Sequence, residues 1–148
     1  MSEINDDPFG QNQTAESPRW CLSVRQPWAW AIIYAGKDIE NRSAAAVNHG
    51  MTCKRIAIHA SKGMSREEYE DGRNFINDVL YRNAQGGQTP RPDELVRGAL
   101  IGSVSVVDIV KSSDSLWWMG PRGLVLQDAC AWSSPIPCAG ALGYFNLG

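Results

Sequence analysis

The chain has 148 residues, 43% hydrophobic and 20% charged, enough for one domain with a proper core and too few for two comfortable ones. No apolar stretch approaches a membrane span, and no basic region followed by a hydrophobic one opens the N-terminus, so membrane and exported classes are set aside and a cytoplasmic protein is expected. The net charge of −2 hides a segregation: residues 1–18 carry four acids and no base, whereas residues 19–62 hold seven basic groups against two acids, the local field a phosphate-bearing ligand needs.

Residues 1–18 are rich in Asn, Gln, Asp, Ser and Pro, with only Ile4 and Phe9 as sizeable apolar groups. They bury too little to offset their ordering entropy, so a mobile acidic tail is expected, able to dock a protein partner, with the ordered domain spanning 19–148. Trp20 to Val24 alternates large apolar and small groups as a short strand does. Pro27 suits a helix start, Trp28 to Ala35 reads as a short buried helix, and Gly36 ends it. Asp38 to Arg42 follows as an extended segment. After a polar, Ala-rich connection, Arg55 to His59 is a strand. Ser65 caps a helix from about Arg66 to Arg82, its acids Glu67, Glu68 and Glu70 near the N-terminal end and Tyr69, Phe75, Ile76 and Leu80 on the apolar face. Residues 83–92 form an exposed loop. Gly98 to Val110 is the strongest strand signal, with Gly102 marking a bulge. Strands around Leu124 to Ala131 and Gly140 to Leu147 complete an α+β domain whose strands curl into a small barrel, with Pro135 and Pro137 between the last two.

Several polar side chains are candidates for chemistry. Glu40 and Arg42 are two apart in an extended segment and share a face, and Lys37, folding back from the helix end, brings a second cation to the same carboxylate. Such a carboxylate stays ionised and can accept from a base's amino group or orient Arg42 for a phosphate; the other reading is a structural ion-pair network. His59 ends a strand beside Ser61 and Lys62, and could act as acid or base. Ser61 with His59 has the composition of a nucleophile–base pair, but residues two apart rarely have the geometry. Gln26 and Trp28 flank the helix start, where an amide could read a base edge and an indole could stack on it, although core packing is the commoner fate of Trp. One of Trp117 and Trp118 is expected to be partly exposed and to rim the cleft, and Asp108 is a further candidate carboxylate. Cys21, Cys53, Cys130 and Cys138 are scattered, with no C-x-x-C pair and no His at zinc spacing. They read as reduced, mostly core residues, and neither a metal nor another cofactor is expected.

The runs Leu22-Ser23-Val24-Arg25-Gln26-Pro27-Trp28-Ala29, Gly36-Lys37-Asp38-Ile39-Glu40-Asn41-Arg42-Ser43 and Ile56-Ala57-Ile58-His59-Ala60-Ser61-Lys62 resemble, in that order, the ASCH (activating signal cointegrator homology) family of the PUA-like superfamily. Gly98 to Val104 and Gly140 to Tyr144 fit its later strands. The resemblance implies a small PUA-like β-barrel of about five to six strands with flanking helices. It also implies binding of RNA or a modified nucleoside in a polar cleft around Lys37, Glu40, Arg42 and His59, with Gln26, Trp28, Ser61 and Lys62 as further contacts. The alternative is a metal-independent hydrolase, a ribonuclease or an acylcytidine amidohydrolase, with Lys37, Glu40 and His59 in the chemistry. Three positions depart from the family pattern. Ala35 occupies the leading glycine position, Ala44 stands where many relatives carry Trp, and Glu40 sits where the amidohydrolase branch has Thr.

Overall fold

The computed structural model describes residues 18–47, 49–52, 54–140 and 143–147. Apart from Pro18, the tail and its docking role lie outside those residues, as does Cys53. Among the described residues six strands and two α-helices follow in chain order: β1 (Trp20–Val24), α1 (Trp28–Tyr34), β2 (Ile39–Arg42), β3 (Lys54–Ala60), α2 (Arg66–Arg82), β4 (Ala99–Val110), β5 (Arg122–Pro137) and β6 (Tyr144–Asn146), with short 3-10 turns at Ala44–Ala46, His49–Met51 and Pro92–Glu94. They form one six-stranded sheet in the order β2-β5-β4-β3-β1-β6. Every described pairing is antiparallel except β1 with β3. The sheet curls into the small barrel-like α+β fold that the sequence predicts.

The curl follows from irregular pairing between β4 and β5. Register shifts occur between Leu100 and Gly102, between Ser103 and Ser105, and between Val106 and Asp108. Each inserted residue bends a strand and adds local twist. At the first shift Leu100 lies opposite Ile136 while Gly102 lies opposite Ala131, so β5 has far more chain there than β4. Residues 132–135 therefore form a wide bulge, which accommodates Pro135 within one long strand. The expectation that Pro135 and Pro137 separate two strands is corrected accordingly: β5 continues to Pro137, and the last strand is only three residues long. Gly102 stands beside the bulge for a packing reason. A Cβ there would lie 2.5 Å from the Cys130 carbonyl oxygen and 2.8 Å from Ile33 Cδ1.

Alternation divides the sheet's side chains between two faces. Leu22, Val24, Ile56, Ile58, Val104 and Leu124 share a buried cluster with Ala29, Ile32 and Ile33 of α1. Cys21, Ala57, Leu100 and Trp132 form a separate cluster, flanked by Ile136, Cys138 and Phe145. Helix α2 packs Ile76, Val79 and Leu80 against Ala31, Ala35, Ile39 and Trp117. The approach of α2 to α1 is close enough that a Cβ on Gly72 would meet Pro27 Cγ at 2.7 Å.

Helix α2 begins where its sequence says it should. Ser65 Oγ accepts from the Glu68 N–H at 3.1 Å, and Glu68 Oε1 accepts from the Ser65 N–H at 2.7 Å, a reciprocal capping box. Glu68 also takes two hydrogen bonds from Arg25, at 2.6 and 2.8 Å. The Arg25 bonds first, then the Ser65 N–H, pull the Glu68 carboxyl from 4.5 down to about 2. Ser65→Ala should therefore lower stability by about 1 kcal/mol, read from the urea midpoint. A depressed carboxylate stabilises above its unfolded value and loses that contribution on acidification. Glu68→Gln should accordingly be less stable than wild type at neutral pH and converge on it as pH falls from 4.5 towards 2. Because the Arg25–Glu68 pair is exposed, the difference should be small.

Candidate functional site

The C-terminal ends of β1 and β3 run side by side, with Ser23 opposite His59 and Val24 opposite Ala60. Neighbours in register point their side chains the same way, so Ser23 and His59 meet although 36 positions separate them. Ser23 Oγ lies 2.9 Å from His59 Nδ1. On the other side of the ring, Nε2 is 2.8 Å from the Cys138 carbonyl oxygen. A carbonyl can only accept, so Nε2 carries a hydrogen. In the neutral imidazole Nδ1 is then the bare nitrogen, placed to accept from the Ser23 hydroxyl. The ring is 3% exposed and meets the edge of Phe145 at 5.9 Å between centroids.

This pair borders a cleft of about 740 Å³. Ser23 and Arg25 line it from the end of β1, His59, Ser61, Lys62 and Gly63 contribute from the end of β3 and the turn after it, and Cys138, Ala139, Gly140 and Gly98 complete it. Gly140 is close to the pair: a Cβ there would lie 2.3 Å from His59 Cε1 and 2.9 Å from Ser23 Oγ. Of the two cations on the lining, Arg25 is held by Glu68, whereas the exposed Lys62 makes no ion pair among the described residues. Cys21 lies behind the cleft and is fully buried. Burial, reinforced by Cys138, pushes its thiol up to about 12, so it stays protonated. Cys21, Cys130 and Cys138 are all free thiols; only Cys21 is core, while the other two are half-exposed.

Lys37, Glu40 and Arg42 do converge. Glu40 Oε1 is 2.9 Å from Lys37 Nζ, and Glu40 Oε2 is 2.9 Å from Arg42 Nη2. Lys37 Nζ also donates to the Ile39 carbonyl and lies 5.7 Å from the Trp28 ring centroid. Lys37 and Glu40 are buried, 3% and 7% exposed, and none of the three is on the lining of the cleft described above. The connection is indirect: Arg42 Nη2 donates to the Ser23 main-chain carbonyl at 2.9 Å. The three thus brace the strand that presents Ser23. Arg42 Nε is buried and has no hydrogen-bond partner among the described residues.

The remaining candidates separate from this cluster. Gln26 is buried with both ends of its amide engaged: Oε1 accepts from the Trp30 N–H at 2.9 Å, and Nε2 donates to the Val96 carbonyl at 2.8 Å. Together with the Arg25 and Pro27 carbonyls it accounts for the first four N–H groups of α1. Trp28 packs edge-on against Phe75 and bridges two core clusters. Trp117 is buried, and the half-buried Trp118 sits over Gly123 and packs against the cluster of α2; neither lines the cleft. Asp108 is exposed, and its Oδ1 accepts from the Ile109 N–H. Ser61 lines the cleft, but the partner of His59 is Ser23. Ser23, Arg25 and Gly140 are cleft residues that local reading missed: Ser23 meets His59 only through the pairing of β1 with β3, and Gly140 approaches the same ring from beyond the end of β5. Among the described residues no group of three or more His, Cys, Asp or Glu is arranged to hold a metal ion, and no helix is long and apolar enough to cross a membrane.

No family model matches the chain. The chain is similar to Activating signal cointegrator 1 of Homo sapiens, with 33% identity over 89 residues, and to Activating signal cointegrator 1 of Mus musculus, with 31% identity over 90 residues. Each match covers 60% of this chain and 14% of the relative, so the similarity concerns a small part of a much longer protein.

Proposed function

We propose that the chain is an ASCH-type, PUA-like domain that binds RNA or a modified nucleoside in the cleft at the ends of β1 and β3. The observation that carries this reading is an open cleft of about 740 Å³ in which Lys62, without an ion pair among the described residues, stands beside the hydroxyls and imidazole of Ser23, Ser61 and His59. Its volume lies within the range of about 300–1,000 Å³ usual for small-molecule sites, and its lining offers one cation for phosphate and several groups for hydroxyl or base edges. The similarity to Activating signal cointegrator 1, after which the ASCH family is named, supports the family half of the proposal. In this reading Lys62 contacts phosphate, Ser61 and His59 face the nucleoside, and Lys37, Glu40 and Arg42 act from beneath by fixing Ser23.

Fluorescence anisotropy with a short single-stranded RNA, titrated at several salt concentrations, tests it. Wild-type affinity should fall as salt rises. Lys62→Ala should weaken binding and lower the log–log salt slope by about one, the signature of one lost phosphate contact. No binding by wild type, or an unchanged slope in the folded variant, would overturn the assignment.

A further inference from the structure

We propose that Ser23 and His59 are a nucleophile–base pair that hydrolyses carboxylic esters in this cleft, the natural substrate class being an acyl ester on a nucleoside or nucleotide hydroxyl. The choice of alcohol rests on the nucleotide-binding reading above; the chemistry of the pair does not. The geometry meets the requirements of an activated serine. The hydroxyl is 2.9 Å from the imidazole nitrogen that is free to accept its proton. The other nitrogen is anchored at 2.8 Å to a main-chain carbonyl, which sets the tautomer and holds the ring in place. In a three-residue catalytic arrangement a carboxylate does this and also stabilises the imidazolium. Cys138 contributes only a neutral carbonyl, so turnover should be slow. Ser23 and His59 both border the cleft, whose lining also carries Lys62 as positive charge for a developing oxyanion.

The reaction balances with water as the only co-reactant. Ser23 Oγ adds to the ester carbonyl carbon while its proton passes to His59 Nδ1. Collapse of the tetrahedral adduct breaks the bond to the alcohol oxygen, which takes that proton and leaves. Water then adds to the acyl-Ser23 carbonyl, giving a proton to Nδ1. When the bond to Ser23 Oγ breaks, the proton returns to Oγ and the carboxylic acid departs.

A hydrogen bond that merely ties β1 to β3 would give the same coordinates but no reactivity, and that difference is measurable. Purified wild type is incubated with a fluorophosphonate probe, and the modified peptide is mapped by mass spectrometry. Hydrolysis of p-nitrophenyl acetate is followed in parallel. The expected result is phosphonylation at Ser23, with loss of fluoride, and turnover that drops about 100-fold or more in Ser23→Ala and His59→Gln. Wild type should also cleave 2′(3′)-O-acetyl-AMP faster than acetylglycerol. A folded wild type that is not labelled at Ser23, or equal hydrolysis in Ser23→Ala, overturns the proposal. If Ser23→Ala does not fold, the labelling map of wild type decides alone. Failure of the RNA titration with Ser23 still labelled would remove the binding reading and leave the esterase. Labelling without preference for the nucleotide ester would reject the nucleotide as the alcohol.

Discussion

Glu40→Ala should cost the fold about 3–5 kcal/mol, the loss seen when one partner is removed from a buried charge cluster. Glu40 is the only carboxylate bonded to Lys37 and Arg42 among the described residues, at 2.9 Å to each. Lys37 is 3% exposed, and Arg42 already has a buried Nε without a partner among the described residues. Truncation would leave a buried ammonium and a mostly buried guanidinium facing each other with their carboxylate gone. Native proteins are stable by only about 5–15 kcal/mol, so this one change should consume about a fifth of the total or more. Lys37→Met is the informative contrast. It leaves Glu40 paired with Arg42, keeps the contact with Trp28 apolar, and should cost much less. Urea unfolding of both variants gives the comparison, and a Glu40→Ala loss below about 1 kcal/mol would show that the cluster does not brace the fold.

Gly140→Ala should be nearly as damaging, for a steric reason. The new methyl would lie 2.3 Å from His59 Cε1 and 2.5 Å from Nδ1, well inside any tolerable contact. The neighbouring chain cannot easily retreat. The Cys138 N–H donates to the Gly98 carbonyl at 3.0 Å, and the Cys138 carbonyl holds His59. The imidazole must therefore turn out of both of its hydrogen bonds, or the strand end must shift. Overpacking of this kind costs about 1–3 kcal/mol, and the broken bonds add to it. Thermal unfolding reads the loss, while the ¹⁵N shifts of the His59 ring report whether Nε2 still carries the hydrogen. Wild-type stability with unchanged ring shifts would show that the approach of Gly140 is not as close as described.

How much of this could be read from the residues alone depends on the range of the signal. Helix α2 runs from Arg66 to Arg82 as predicted, because its cap, acidic first turn and apolar face are all local. The convergence of Lys37, Glu40 and Arg42 was legible for the same reason, since it depends on spacings of two and three. Their burial was not, because it is imposed by Trp28 and by strands distant in sequence. Pro135 and Pro137, residues that normally end strands, point to a shorter β5 than the one that forms. A wide bulge opposite Leu100 to Gly102 admits Pro135, and Pro137 ends the strand opposite Ala99. The Ser23–His59 pair was invisible because it depends on a parallel pairing. Along the chain Ser61 is the nearest hydroxyl to His59, yet Ser23 is the one bonded to it.

The pairing of β1 with both β3 and β6 also sets the order in which the molecule can assemble. A parallel neighbour requires a crossover, here made through α1 and β2, and β6 reaches β1 from much later in the sequence, where the Leu147 N–H donates to the Arg19 carbonyl at 2.7 Å. Contacts that span such long loops bear the greatest closure entropy and tend to form late. A nascent chain can complete α2 and the β4–β5 hairpin while Ser23 and His59 still lack their cover from residues 138–140. The hollow is thus finished only when residues 138–140 have closed over the ends of β1 and β3, and reactivity at Ser23 would double as a report of that closure.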